Sequence, residues 1–398
     1  VNEVSIDERE DAVVGLFVTC AGLLLAVGTM MVFSSSITAS PSLEEQYYLS
    51  RQLLFLLGAG LLGIAASQLP GGFWRRSAPI LFSVTFILLI LVLVPGVGRT
   101  VNGAQRWFRI GPLSFQPSET AKITLPILLC AWRCGVRRTP AAERWSLLSC
   151  SVLSLVTMAL VALEPDLGTA LFLGITTLLI FWLTGCPARY FFAGIGIAVP
   201  LAGLFAVLRP YQLARLKGFV ATWFHPEEAP YQIQQSLTTL GVGGISGVGL
   251  GKGWQKLSFL PEANTDFVFA VIGEELGLIG TLSVVGLWVG LYLTGVRLIR
   301  RVPASSFAGV LSLTLLGQLV IQAAINMAVV TALLPPKGIS HPFISYGGSN
   351  LIVSILSLGL ILSLTRNGTS ASGFASFPLR FPLLSRWIVP QPKERPLA

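Results

Sequence analysis

The sequence predicts an all-α, polytopic membrane protein, and three observations carry that reading. Charged residues make up 11% and hydrophobic residues 53% of the 398, whereas soluble domains carry roughly 25% charged residues. Apolar runs of about 18–22 residues, long enough to cross the hydrocarbon core of a bilayer, recur about ten times. Many lysines and arginines gather in short loops on one side of those runs. Only helices and closed barrels satisfy every backbone group in lipid, and these runs are far too long for barrel strands.

In chain order the runs are 12–33, 52–69, 78–95, 118–132, 147–163, 167–184, 190–208, 267–286 continuing into 288–296, 307–334 and 346–364. The first follows an acidic stretch, residues 1–11. A cleaved secretory signal has a basic front end and an apolar core of about 7–15 residues, so this run is read as a permanent span. Arg75, Arg76, Arg133, Arg137, Arg138, Arg144, Arg189, Arg297, Arg300 and Arg301 fall on one side, joined by a basic tail from Arg366 onward. Cytoplasmic loops carry such an excess, which puts both termini in the cytoplasm. The net charge of +9 therefore suits a face touching anionic lipid and does not call for nucleic acid. Residues 367–398 are rich in Ser, Gly and Pro and read as a disordered tail, where the Asn367-Gly-Thr sequon is a chance match. The five cysteines sit in or beside apolar segments and read as packed, unpaired thiols.

Three loops face the opposite, extracytoplasmic side: 96–117, 209–265 and 335–345. The middle one, between the seventh and eighth runs, has about 55 residues, a length that is usually functional or disordered. Its aromatics and its amphipathic stretch 231–240 predict that it folds against the bundle.

These outer loops hold the residues that could carry chemistry. Asp266 stands where a loop enters the eighth run, close to Glu262, Glu274 and Glu275, in a chain with only 18 acidic residues. A carboxylate at that depth is costly to keep unless something uses it, so we expect Asp266 to act on a lipid-borne substrate. The plainer reading is an anion favoured by a helix N-terminus. Arg106 and Arg109 lie on the outer side, against the charge bias. Glu119 and Lys122, at i,i+3 on one helix face, are either a structural ion pair or part of a substrate cavity. Glu164 and Asp166 flank a proline at a short outer turn, where Asp166 either caps the next helix or charges a cavity mouth. The glycine-rich stretch 239–255, with Lys252, misses the nucleotide P-loop spacing. It serves either tight backbone packing or contact with a lipid diphosphate. In ISHPFISYGGSN (339–350), Ser345 precedes the last run and Gly347 stands at its start, and His341 reads as a packing residue before a base.

The motifs RWFRIGPLSFQPSE, LEPDLGTA, GVGLGKGWQKLSFLPEANTDFVFAVIGEELG and PFISYGGSN, in this order, resemble the SEDS family (shape, elongation, division and sporulation proteins) over residues 12–366. The wording IGEELG is more similar to the cell-division branch than to the rod-elongation branch. The resemblance implies a peptidoglycan glycosyltransferase that polymerises lipid II at the outer face of the bacterial cytoplasmic membrane, at the division septum. It implies a class B penicillin-binding protein and other division proteins as partners, beside membrane lipid. Asp266 takes the position of the family's loop aspartate, Glu119 and Lys122 that of its buried pair, and Glu275 or Glu274 that of a further cavity acid. The chain departs from the family at Asn264, where His is frequent, at Asn350, where Ser is usual, and at His341, where an apolar residue precedes the proline. No spacing identifies a metal site; Mg2+ or Mn2+ would suit carboxylates and phosphates. Two competing functions are a lipid II transporter, which an intramembrane Glu–Lys pair would equally suit, and a scaffold without chemistry.

Overall fold

A computed structural model describes residues 4–36, 43–101, 103–111, 113–135, 139–208, 210–255 and 259–366. The expected tail and the arginines at 137 and 138 lie outside them. Each of the ten apolar runs falls on a helix: α1 (Val4–Ser36), α2 (Leu43–Gln68), α3 (Gly71–Val92), α4 (Pro117–Arg133), α5 (Pro140–Leu163), α6 (Leu167–Leu183), α7 (Ala188–Leu208), α10 (Val268–Ile299), α11 (Phe307–Val330) and α12 (Gly348–Arg366). Helix α1 begins at Val4, so most of the acidic stretch continues it. Seven of these helices are long and apolar enough to cross a membrane; α6, at 17 residues, is apolar but shorter. On α2, Leu57, Leu61 and Ile64 point outward at 64–71% exposure, an apolar stripe that suits lipid. The chain is a multi-pass membrane protein.

Local chemistry sets the helix starts. Pro117 and Pro140 occupy the first positions of α4 and α5, where a missing N–H costs nothing. The side chains of Thr139, Asp166 and Ser306 cap α5, α6 and α11 by accepting from Ala142 N, Thr169 N and Gly309 N. Helix α4 packs against α3, α6, α11 and α12, and nearly every residue from Pro117 to Cys130 is buried. Its two charged residues therefore sit inside the bundle. The five cysteines are unpaired.

The outer loops are more ordered than the apolar pattern suggests. Three short strands, β1 (Arg99–Val101), β2 (Ala104–Ile110) and β3 (Leu113–Phe115), form an antiparallel sheet, with Arg99 opposite Trp107 and Arg109 opposite Ser114. The expectation of an all-helical chain missed this small sheet, because strands of three to seven residues leave little periodicity to read. The long loop contains α8 (Pro210–Phe224) and α9 (Tyr231–Gly243), and α9 packs on α10.

Helix α10 is interrupted. Gly277 adopts φ 68°, ψ −162° within it, and any side chain there would collide with the backbone of Ile245 and Gly247. The break frees backbone groups that would be orphaned at this depth, and the glycine-rich stretch takes them up. Val248 N and Gly249 N donate to the carbonyls of Glu274 and Glu275, while Leu278 N and Ile279 N donate to those of Gly244 and Ile245. The density of glycine in 239–255 is thus explained by backbone-to-backbone packing.

Candidate active site

A cavity of about 1020 Å³ opens where the sheet, the α5–α6 turn, α8 and the loops before α10 and α12 meet. The starts of α4, α6, α10 and α12 all border it, through Gln116, Asp166, Phe267 and Ser349. Helix N-termini carry partial positive charge. Arg51, Arg99, Arg106, Arg109, Arg215 and Lys337 also stand on its wall, against the carboxylates of Glu119, Asp166, Glu262 and Asp266, so cations outnumber acids around the opening.

Asp266 stands on that wall, half-buried, immediately before α10. Three bonds from later parts of the chain fix its segment. Asn326 Nδ2 on α11 donates to Asp266 O at 2.8 Å, Ser345 Oγ to Thr265 O at 2.5 Å, and Tyr346 N to Asn264 O at 2.9 Å. Ser345 lies behind the cavity wall and acts through that backbone; it also accepts from His341 N. Burial, then repulsion from Glu262, pushes the Asp266 carboxyl up to about 7, against the pull of Arg106 and Arg215. Glu262 also lines the cavity and accepts from Thr265 Oγ1 at 2.9 Å. Gly338 crosses so close to Asp266 that a Cβ there would stand 3.0 Å from Oδ2.

Asp166 both caps α6 and faces the cavity. Its carboxylate accepts from Thr169 N, Thr169 Oγ1 and Gln116 Nε2 at 2.9–3.0 Å, and Arg106 lies 3.8 Å away. Glu164 is fully buried behind it. Burial, and then Asp166, raises its carboxyl to about 9, with Arg106 opposing, so it is neutral at pH 7. Lys122 Nζ donates to Glu119 Oε1 at 2.7 Å and lies over the Phe172 ring. Glu119 reaches the cavity and keeps Oε2 without a partner among the described residues, while Lys122 stays behind it. Arg109 is exposed at the rim, its Nε donating to Gly111 O at 3.2 Å, and Gly347 borders the opening to α12.

Three of the expected site residues lie elsewhere. Lys252, Glu274 and Glu275 do not border the cavity. Glu274 Oε1 accepts from Trp254 N and Gln255 N, and Glu275 accepts from Ser34 Oγ and Gly251 N. Both side chains therefore hold the glycine-rich stretch to α10. His341 is buried between Phe269 and Trp288, and burial lowers its imidazole to about 4, so it is a neutral packing residue.

Sequence reasoning passed over Arg51, Arg99, Trp107, Arg215 and Lys337 on the wall, and the amides behind it. Gln318 Nε2 bridges Lys122 O and Thr176 Oγ1, and Gln322 Nε2 bridges Ser340 O and Asn350 Oδ1. Among the described residues no three His, Cys, Asp or Glu side chains converge to hold a metal. The cavity acids Asp166, Glu119 and Glu262 are engaged by protein donors.

Comparison with known proteins points to a family. Its model, described as a cell cycle protein (FtsW/RodA/SpoVE), matches residues 15–370. The chain is 38% identical to the probable peptidoglycan glycosyltransferase FtsW of Coxiella burnetii, covering 87% of this chain and 94% of that one. It is 36% identical to its counterpart in Legionella pneumophila, covering 85% and 87%. Among solved structures, a chain of a peptidoglycan synthase complex that coordinates polymerization and crosslinking superposes with a TM-score of 0.72 at 30% identity, covering 88% of this chain and 97% of that one. The rod shape determining protein RodA of Thermus thermophilus gives 0.65 at 28%, covering 88% and 96%. With a match across nearly all its spans, and the same motifs framing the cavity, the chain belongs to the FtsW/RodA/SpoVE family of cell cycle proteins.

Proposed function

We infer that this chain is a peptidoglycan glycosyltransferase that polymerises lipid II into β-1,4 glycan in septal cell-wall synthesis, with Asp266 as general base. The reaction joins the 4-hydroxyl of one GlcNAc to C1 of a MurNAc held by a diphosphate on a lipid. The C1–O bond to the diphosphate breaks with its electron pair, the new C1–O bond forms with inversion, and the hydroxyl proton passes to the Asp266 carboxylate. Such a base contributes about 10²–10⁴-fold. The observation that carries the reading is a half-buried carboxyl, raised to about 7, on the wall of a cavity that also carries five arginines and Lys337. That setting keeps the acid basic enough to accept a proton near neutral pH, beside charge suited to a diphosphate.

Arg106 supplies positive charge from the sheet, whereas Lys122 serves the site by fixing Glu119. A divalent cation, Mg2+ or Mn2+, enters this reading only as a companion of the substrate's diphosphate. The outer face of the cytoplasmic membrane, the septum, a class B penicillin-binding protein and further division proteins complete the proposal. A transporter would instead move lipid II in liposomes without chain growth. The purified complex with its transpeptidase, given lipid II, should make glycan strands, and Asp266→Asn should make none while still binding the partner. Glycan made by the variant at the wild-type rate would refute the assignment.

A further inference from the structure

The cations around the cavity are not equivalent. Arg106 faces Asp166, Arg109 is exposed and bonded to its own turn, and Lys122 is held by Glu119 behind the wall. Lys337 differs. It is half-buried on the cavity wall, and no carboxylate among the described residues pairs with it. Burial lowers the pKa of its ammonium, and only Asp166 opposes this. An ammonium partly withdrawn from water with no carboxylate beside it is disfavoured, and an arriving anion offsets that cost.

Its neighbours in the chain set the geometry. Arg215 Nη1 on α8 donates to Pro336 O at 3.2 Å, which ties that guanidinium to the residue before Lys337. On the other side, Gly338 runs against the Asp266 carboxylate. One short segment thus gathers two cations from separate parts of the chain beside the proposed base, and Arg215 is close enough to act on the Asp266 carboxyl. Arginine offers a planar fork to phosphate oxygens and lysine a mobile point charge.

We propose that Arg215 and Lys337 form a clamp for the diphosphate of the lipid-linked substrate, with its non-bridging phosphoryl oxygens between the guanidinium and the ammonium. The inference rests on the glycosyltransferase reading of the same cavity and names the residues that hold the leaving group. As the bond from C1 to the diphosphate oxygen breaks, the electron pair and negative charge collect on that oxygen. Cations already in place stabilise that charge without reorganising.

The test measures binding apart from polymerisation. The full chain, in complex with its transpeptidase, is titrated with farnesyl diphosphate, inorganic pyrophosphate and inorganic phosphate. Arg215→Gln and Lys337→Met should each weaken both diphosphates by about tenfold or more. Arg215→Lys and Lys337→Arg should restore much of the affinity, which separates lost charge from a damaged fold. Asp266→Asn should bind as tightly as wild type or more tightly, since it removes a neighbouring negative charge. Unchanged farnesyl diphosphate affinity in both charge-removing variants would overturn the clamp, as would an effect confined to inorganic phosphate. Wild-type protein that binds the diphosphates but forms no glycan from lipid II would leave the clamp standing and remove the glycosyltransferase reading.

Discussion

Asn326 Nδ2 donates to the backbone carbonyl of Asp266 at 2.8 Å, and the same amide donates to Ile339 O at 2.8 Å. One buried side chain on α11 therefore sets both the loop that carries the acid and the loop that carries Lys337. Asn326→Leu removes both bonds and leaves two carbonyls without that donor, at about 1–3 kcal/mol each where they are buried. A displacement of about 1 Å at a reacting group can cost 10²-fold in rate. We expect polymerisation to fall by about that factor while the protein still inserts and binds its partner, as read by glycan synthesis beside co-purification. Full activity in this variant would mean that the loop finds its place without Asn326.

As the proposed base, Asp266 gives the activity an expected pH dependence. An acid with a raised pKa accepts protons only when ionised, so activity should climb as pH rises through about 7. Below that value it should drop about tenfold per unit. Repulsion from Glu262 is the second cause of the raised value. Glu262→Gln should therefore lower the pKa and move the acidic limb of the rate profile to lower pH. A limb that stays in place in Glu262→Gln, with activity retained, would show that another group controls it.

The Glu119–Lys122 pair is nearly sealed, with side-chain exposures of 10% and 6%. Removing one member of a buried pair leaves an uncompensated charge, at about 3–5 kcal/mol. Lys122→Met should thus destabilise the protein strongly, while the double variant Glu119→Gln/Lys122→Met should regain much of the loss. Thermal unfolding in detergent reads the difference. Equal melting temperatures for the single and double variants would contradict a pairwise origin.

Glu274 and Glu275 give a separate expectation. Their carboxylates hold Trp254 N, Gln255 N, Gly251 N and Ser34 Oγ rather than the cavity. Glu274→Leu should unfold the glycine-rich stretch at a cost of about 1–3 kcal/mol, visible as faster amide exchange over 248–255. Affinity for farnesyl diphosphate should change far less than in Lys337→Met. The reverse ranking would place Glu274 at the substrate.

The spans were legible because lipid leaves the backbone one solution for each long apolar run. Asp166 as a cap was legible too, from an acid directly before Leu-Gly-Thr. Arg99, Arg215 and Lys337 carried the signal that marked Arg106 and Arg109, a basic residue on the outer side against the charge bias, but stood outside the motifs. The bridging amides had no such signal. Gln318 meets Lys122 O across 196 residues of sequence, and only folding brings them together. Glu274 and Glu275 were assigned to the cavity by resemblance, and nothing in helical periodicity announces the break at Gly277 that gives them another task.

The bonds that seat Asp266 also bear on biogenesis. Its anchors, Asn326, Ser345 and Tyr346, are all synthesised after the acid itself has left the ribosome. A nascent chain released before Asn326 would insert the loop aspartate without its seat. The segment of the proposed base is thus seated late, and translation must run nearly to the end of the membrane domain before all three anchors exist.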